Sequence, residues 1–66
     1  MNRIKLILEE RGIKQTWLAK KLGKSYPIVN SYVQNRRQPS LEVLTDIAKI
    51  LEVDIRDLIM PTQDGN

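Results

Sequence analysis

The chain has 66 residues, of which 41% are hydrophobic and 29% are charged. This is shorter than most domains, so we expect one small domain rather than two. The chain has no Cys and no His, which excludes disulfides, thiolate metal sites and imidazole catalysis. Its apolar stretches run for only a few residues, and the N-terminus lacks the apolar region of a secretory signal. We therefore expect a cytoplasmic protein.

The net charge of +3 is distributed unevenly along the chain. Residues 1–40 carry nine basic and two acidic side chains, a net charge of +7, whereas residues 41–66 carry two basic and six acidic ones, a net charge of −4. The basic part is suited to a surface that faces a polyanion. The alternative is that these charges lie on ordinary solvated faces, and charge alone does not separate the two.

Apolar residues recur at spacings of three and four, and no stretch sustains the two-residue alternation of a strand. The spacing predicts an all-α fold, a compact bundle of five helices. The first helix covers residues 3–11, with Asn2 as its N-cap and Gly12 in the left-handed conformation that ends it. Its inner face consists of Ile4, Ile7 and Leu8.

The second and third predicted helices are short and close together. The second covers residues 15–22 and ends at Gly23, and Lys14 before it offers no side-chain acceptor for a cap. The third begins after Ser25, a good N-cap, and extends to about residue 34, with Asn35 in a left-handed conformation. The inward residues of the two helices are Leu18, Ala19 and Leu22, then Val29, Tyr32 and Val33.

The remaining predicted elements are a fourth helix over residues 41–51, capped by Ser40, and a short fifth helix over residues 55–60. Asp54 caps the fifth helix and Pro61 stops it. The domain is expected to cover residues 1–61, and residues 62–66 to form a disordered tail. The apolar stripe of the fourth helix comprises Leu41, Leu44, Ile47, Ala48 and Leu51.

Residues 15–38 form a short helix, a tight turn at Leu22-Gly23-Lys24 and a second helix. This is the helix-turn-helix arrangement, in which the second helix is exposed and can enter a DNA major groove. Because the core takes one face of that helix, its outward side chains are the candidates for reading DNA bases. They are Tyr26, Pro27, Ile28, Asn30 and Ser31.

A series of short motifs runs through most of the chain in a fixed order. They are Gly12-Ile13-Lys14-Gln15, Leu18-Ala19-Lys20-Lys21-Leu22-Gly23, Ser25 with Val29, Arg37-Gln38-Pro39-Ser40-Leu41-Glu42-Val43-Leu44, Ile47-Ala48-Lys49-Ile50-Leu51 and Val53-Asp54-Ile55-Arg56-Asp57-Leu58. In this order and spacing, over roughly residues 3–60, the chain resembles the Xre helix-turn-helix regulators, the type of Cro and lambda repressor.

The resemblance implies roles for individual residues. It implies that Gln15 holds a DNA phosphate and braces the recognition helix. Tyr26, Pro27 and Ser31 match base-reading positions, and Ile28 lies where it can meet a thymine methyl group. Phosphate contacts are expected from the loop after the recognition helix and from two lysines near the DNA backbone. These residues are Gln34, Arg36 and Arg37, and Lys14 and Lys24.

Two departures from the family pattern have consequences. Leu8 and Val33 occupy positions where many members have an Arg and a Glu in a buried ion pair, and packed apolar residues can replace such a pair. We therefore predict that Leu8 and Val33 are in contact. On the base-reading face, Tyr26-Pro27-Ile28 offers one hydroxyl and much apolar surface. This favours readout of thymine methyls and DNA shape, or else weak sequence discrimination.

These observations favour a sequence-specific DNA-binding transcriptional regulator, a repressor that binds a palindromic operator as a homodimer. The alternative is a protein-binding module, an antitoxin or adaptor whose apolar recognition face meets a toxin or a polymerase. We expect no enzymatic activity, metal or cofactor, since the chain also lacks a Gly-rich phosphate loop and a spare carboxylate pair. Four further apolar residues have two interpretations: they belong to a two-fold interface, or they are hydrophobic residues scattered on the surface. They are Leu6, Ile50, Ile59 and Met60.

Overall fold

The computed structural model describes residues 1–59. Its elements are α1 (Ile4–Arg11), α2 (Gln15–Leu22), α3 (Tyr26–Val33), α4 (Leu41–Leu51) and a 3-10 helix (Ile55–Leu58). The described residues contain no strand, only an isolated antiparallel bridge between Asn2 and Ile59. The all-α prediction is confirmed. The count of five helices is not, because the last element is one 3-10 turn.

The predicted ends of the helices agree closely with the observed ones. The ranges of α2 and α4 are as predicted, α1 begins one residue later, at Ile4, and α3 ends one residue earlier, at Val33. Met60 and the predicted tail at residues 62–66 lie outside the described part of the chain. Within that part, no helix has the length and apolar character needed to cross a membrane.

Short polar side chains cap α3, α4 and the 3-10 helix. The Oγ atoms of Ser25 and Ser40 accept hydrogen bonds from the first turns of α3 and α4, at 3.4 and 3.2 Å. Asp54 accepts the backbone N–H of Arg56 at 2.8 Å and pairs with its guanidinium. The side-chain and backbone hydrogen bonds from Arg56 lower the pKa of Asp54 below its usual value. Lys14 makes no side-chain cap for α2, as predicted.

Left-handed residues end the helices. Gly12 and Gly23 have φ of 65° and 71° after α1 and α2, and Asn35 has φ of 60° after α3. The sequence did not single out Glu52, which ends α4 with φ of 57°. Arg11 also supports that end, since its Nη1 donates to the backbone O of Leu51 at 2.6 Å. A cation at this position complements the negative end of the helix dipole.

The core collects the inner faces of all four helices and the 3-10 turn. Its most deeply buried members are Ile4, Leu18, Val29, Val33, Ile47 and Leu58. The prediction for Leu41 is wrong, because its side chain is 71% exposed. Leu41 is the first residue of α4, and burial along that stripe begins one turn later, at Leu44. Helical periodicity assigns a face, but it does not reveal how far along the helix the neighbouring elements reach.

Leu8 and Val33 are buried in the same core, with 3% and 1% of their surface exposed. Both also line one surface cavity of about 350 Å³. Both side chains are thus placed in the core as expected, and their direct contact stays a prediction.

Asn2 is 5% exposed and joins three parts of the chain. The prediction that Asn2 is the N-cap of α1 is wrong, because the N-cap is Arg3. Asn2 lies one residue earlier, where its Oδ1 accepts from the N–H of Ile4 at 3.0 Å and still supports the start of the helix. Its Nδ2 donates to the backbone O of Tyr32 at 2.9 Å and to Oε1 of Gln38 at 3.0 Å. Asn35 exchanges two further hydrogen bonds with the Asn2 backbone, at 2.8 and 3.2 Å.

We predict that Asn2→Ala lowers the free energy of unfolding by about 1–3 kcal/mol, because the Ile4 N–H and the Tyr32 carbonyl lose their buried partner. Urea unfolding followed by circular dichroism measures the change. Gln38→Ala is the matched control, since Gln38 is an exposed member of the same network, and it should cost less than about 0.5 kcal/mol. Equal losses from the two variants would contradict the central role of Asn2.

Candidate nucleic-acid interface

The turn between α2 and α3 sets the position of α3. The left-handed conformation of Gly23 ends α2, and the Lys24 N–H donates to the backbone O of Ala19 at 3.1 Å. Ser25 then begins α3 two residues later. The inward side of α3 is buried through Val29, Tyr32 and Val33. The residues on the opposite side are exposed or half-buried.

The predicted base-reading residues all lie on or beside this outer face. Tyr26 is 47% exposed and Pro27 is exposed, whereas Ile28, Asn30 and Ser31 are half-buried. Ile28 packs partly against the core. The Ser31 Oγ donates to the backbone O of Ile28 at 2.6 Å. Its hydroxyl hydrogen is therefore bonded within α3, and its oxygen lone pairs can still accept a hydrogen bond from another group.

The predicted phosphate-binding residues surround α3. Gln15 is the first residue of α2 and is half-buried, and the other five are exposed. Two of these, Lys14 and Lys24, lie just before α2 and α3, and the other three follow α3 as Gln34, Arg36 and Arg37. Cations therefore flank α3 in the sequence. In the fold, Lys14 lines the same cavity as Tyr26, and Arg36 is hydrogen-bonded to Asn30.

The electrostatics of this surface come from the sequence around it. Seven basic residues and no acidic residue occur from Arg11 to Leu41. Two of the seven lie toward α4 instead, since Arg11 is hydrogen-bonded to its last residue and Lys21 lines a cavity with Asp46 and Lys49. Within residues 1–59 the one ion pair joins Arg56 and Asp54, outside this region. Lys21 lies over the ring of Trp17, 5.5 Å from its centroid, which is a cation–π contact. The surface consequently attracts anions.

Three polar side chains form a continuous chain across this surface. Asn30 donates from Nδ2 to Oε1 of Gln15 at 2.9 Å. Its Oδ1 accepts from Nη2 of Arg36 at 2.6 Å. The structure thus brings together one predicted base-reading residue and two predicted phosphate-binding residues, which lie on α3, at the start of α2 and after α3.

Sequence reasoning missed Asn2 and Gln38 as supports of the loop that carries Arg36 and Arg37. Asn2 was interpreted only as a helix cap, since a short amide before a helix is a common capping signal. Its partners at the end of α3 and in the loop after it lie 30 or more residues away in the sequence. No local pattern announces such contacts.

The exposed face of α3, the left-handed turn before it and the cations around it define a helix-turn-helix domain. A family model described as helix-turn-helix matches residues 4–58, and the chain belongs to this family, as the Xre resemblance implies. The crystal structure of a protein from Bacteroides fragilis that is inferred to bind DNA is similar to the chain, with a TM-score of 0.85. The two are 41% identical, over 88% of this chain and 94% of the other. No curated protein matches the chain significantly.

No group of acidic side chains within residues 1–59 is arranged to hold a metal ion.

We predict that Gly23→Ala destabilises the domain through the backbone alone. A Cβ atom at this position would have no neighbour within 4 Å, so the cost arises from φ of 71°. A left-handed alanine costs about 1–2 kcal/mol. Gly23→Asn is the matched control and should lose less, because Asn tolerates this conformation better. Chemical denaturation measures the free energy of unfolding of both variants. An alanine variant as stable as the parent protein would show that the turn does not require glycine at position 23.

Proposed function

We propose that the protein is a sequence-specific DNA-binding transcriptional regulator that places α3 in the major groove. The observation that carries the proposal is the outer face of α3, with Tyr26 47% exposed, together with exposed cations just before α2 and on either side of α3 in the sequence. The helix-turn-helix family and the similar Bacteroides fragilis protein support it.

In this mechanism the contacts to DNA divide into two kinds. Lys14, Lys24, Arg36 and Arg37, with the amides of Gln15 and Gln34, bind phosphates and set the position of the domain on the duplex. The outer face of α3 reads the base edges. Ile28 and Pro27 suit thymine methyl groups. Ser31, whose proton is held by the Ile28 carbonyl, suits the amino group of adenine or cytosine as an acceptor.

We further propose that the protein acts as a repressor and binds a palindromic operator as a homodimer. A bound domain blocks other proteins from the same stretch of DNA, which requires no enzymatic step. Two half-sites would lie about one helical turn apart, roughly 34–36 Å, as in the phage repressors that exemplify this class. Leu6 and Ile59 support a two-fold contact because they are apolar and 38% and 43% exposed, whereas Ile50 is half-buried against the core.

A second candidate function rests on the apolar character of the same face. Exposed Tyr26 and Pro27, followed by Ile28, form a surface that a protein partner such as a toxin or a polymerase could cover. An antitoxin or adaptor that uses only this contact would bind duplex DNA weakly or not at all.

Binding to a random-sequence duplex at graded salt tests the proposal. Four cations on phosphates predict a slope of log affinity against log salt of roughly −3 to −4 per bound domain. Arg37→Ala should weaken binding to all duplexes alike and reduce the size of the slope by about 1. Fluorescence anisotropy measures both quantities. Absence of duplex binding at low salt would reject the DNA-binding function and favour the protein-binding alternative.

Sequence preference is tested by selecting bound sites from a random duplex pool. We predict that Tyr26→Ala and Ser31→Ala change the selected motif, because each removes a group that faces the base edges. Tyr26→Phe is the matched control, since it retains the ring and removes only the hydroxyl. Motifs identical to that of the parent protein in both alanine variants would contradict the assignment of this face. Two inverted half-sites in the parent motif would support the homodimer, and a single half-site would not.

A further inference from the structure

The side chain of Asn30 lies at the centre of the three-residue polar chain. It is half-buried on α3 and uses both ends of its amide, the nitrogen toward Gln15 at 2.9 Å and the oxygen toward Arg36 at 2.6 Å. A bidentate contact from Asn to adenine would require the same two atoms. Each of these atoms has one further hydrogen or lone pair, so a base read in that way would have to share Asn30 with both Gln15 and Arg36.

Both partners keep the groups that a phosphate needs. The Oε1 of Gln15 accepts from Asn30, so the Nε2 of Gln15, with two N–H donors, remains for an anion. Arg36 gives one N–H to Asn30 and has four others in a rigid planar fork. Asn30 thereby determines which end of the Gln15 amide is available and the direction in which the Arg36 fork points.

We propose that Asn30 is a positioning residue that couples the phosphate contact of Gln15 to that of Arg36. This inference rests on the DNA-binding function proposed above. Gln15 belongs to α2 and Arg36 follows α3, so the two contacts come from separate parts of the fold. Asn30 holds both in register with the recognition helix.

DNA strengthens this coupling. The bond between Arg36 and Asn30 is exposed in the free protein. A duplex over the outer face of α3 excludes water from it, and hydrogen bonds in a drier environment are stronger and polarise one another. Loss of either end of the chain then weakens the other end as well.

A double-mutant cycle tests the coupling. The affinities of Gln15→Ala, Arg36→Ala and the double variant for one random-sequence duplex are measured by fluorescence anisotropy, in the parent protein and in an Asn30→Ala background. In the parent, the double variant should lose less affinity than the product of the single losses, by about three- to ten-fold. In the Asn30→Ala background the two losses should multiply independently.

Thr45→Ala is the control background. The Thr45 hydroxyl also makes one side-chain hydrogen bond, to the backbone O of Leu41 on α4, but it touches neither Gln15 nor Arg36. The cycle measured in this background should retain the coupling of the parent. Circular dichroism at the assay temperature verifies that each variant is folded, and a merely structural effect of Asn30→Ala would lower every affinity without removing the coupling.

The outcomes separate this inference from the proposed function. If the parent protein binds duplex with salt dependence, DNA binding stands. The role of Asn30 in the coupling is then overturned by either of two results: losses that multiply independently in the parent cycle, or a coupling of equal size in the Asn30→Ala background. A changed site preference in Asn30→Ala, with its binding to random duplex and its coupling unaltered, would instead make Asn30 a base reader. Failure of the parent protein to bind duplex would overturn both proposals.

Discussion

The packing of α3 against the rest of the domain is the constraint on which the structure and the site depend. This helix has eight residues, and helices of that length do not persist alone in water. Burial of Val29, Tyr32 and Val33 offsets the entropy lost when the helix is ordered. Each large apolar side chain that is fully buried stabilises the fold by about 1.5–3 kcal/mol. The same packing commits one side of α3 to the core and leaves the other side free. The exposure of the outer face is thus a consequence of how the inner face is buried.

Polar contacts supply the precision that apolar packing does not. The Asn2 amide connects the start of α1 to the end of α3 and to the loop that carries Arg36 and Arg37. Within residues 1–59, every buried side-chain nitrogen and oxygen has a hydrogen-bond partner, as native interiors require. In a domain this small, a few such bonds determine where the loop lies. Asn30 has a comparable place on the surface, where it meets Gln15 and Arg36.

Much of the fold follows from local patterns. Ser25, Ser40 and Asp54 cap the elements that begin after them, since each is a short acceptor at the start of an apolar periodic segment. Gly12, Gly23 and Asn35 adopt left-handed conformations for the same kind of local reason. The fifth element is a 3-10 turn rather than a helix, and short terminal elements are where local patterns discriminate least. Leu41 has the right spacing for the core but lies one turn beyond it.

For the candidate site, the sequence by itself determined which residues lie on α3, which cations border it and which family the chain belongs to. These depend on periodicity, on composition and on motif spacing, all of which are local. Only the tertiary structure decided that Asn2 supports the loop after α3 and that Asn30 lies between Gln15 and Arg36. Such contacts join residues up to 36 positions apart, and an exposed or half-buried amide has no preferred partner until packing brings one within reach.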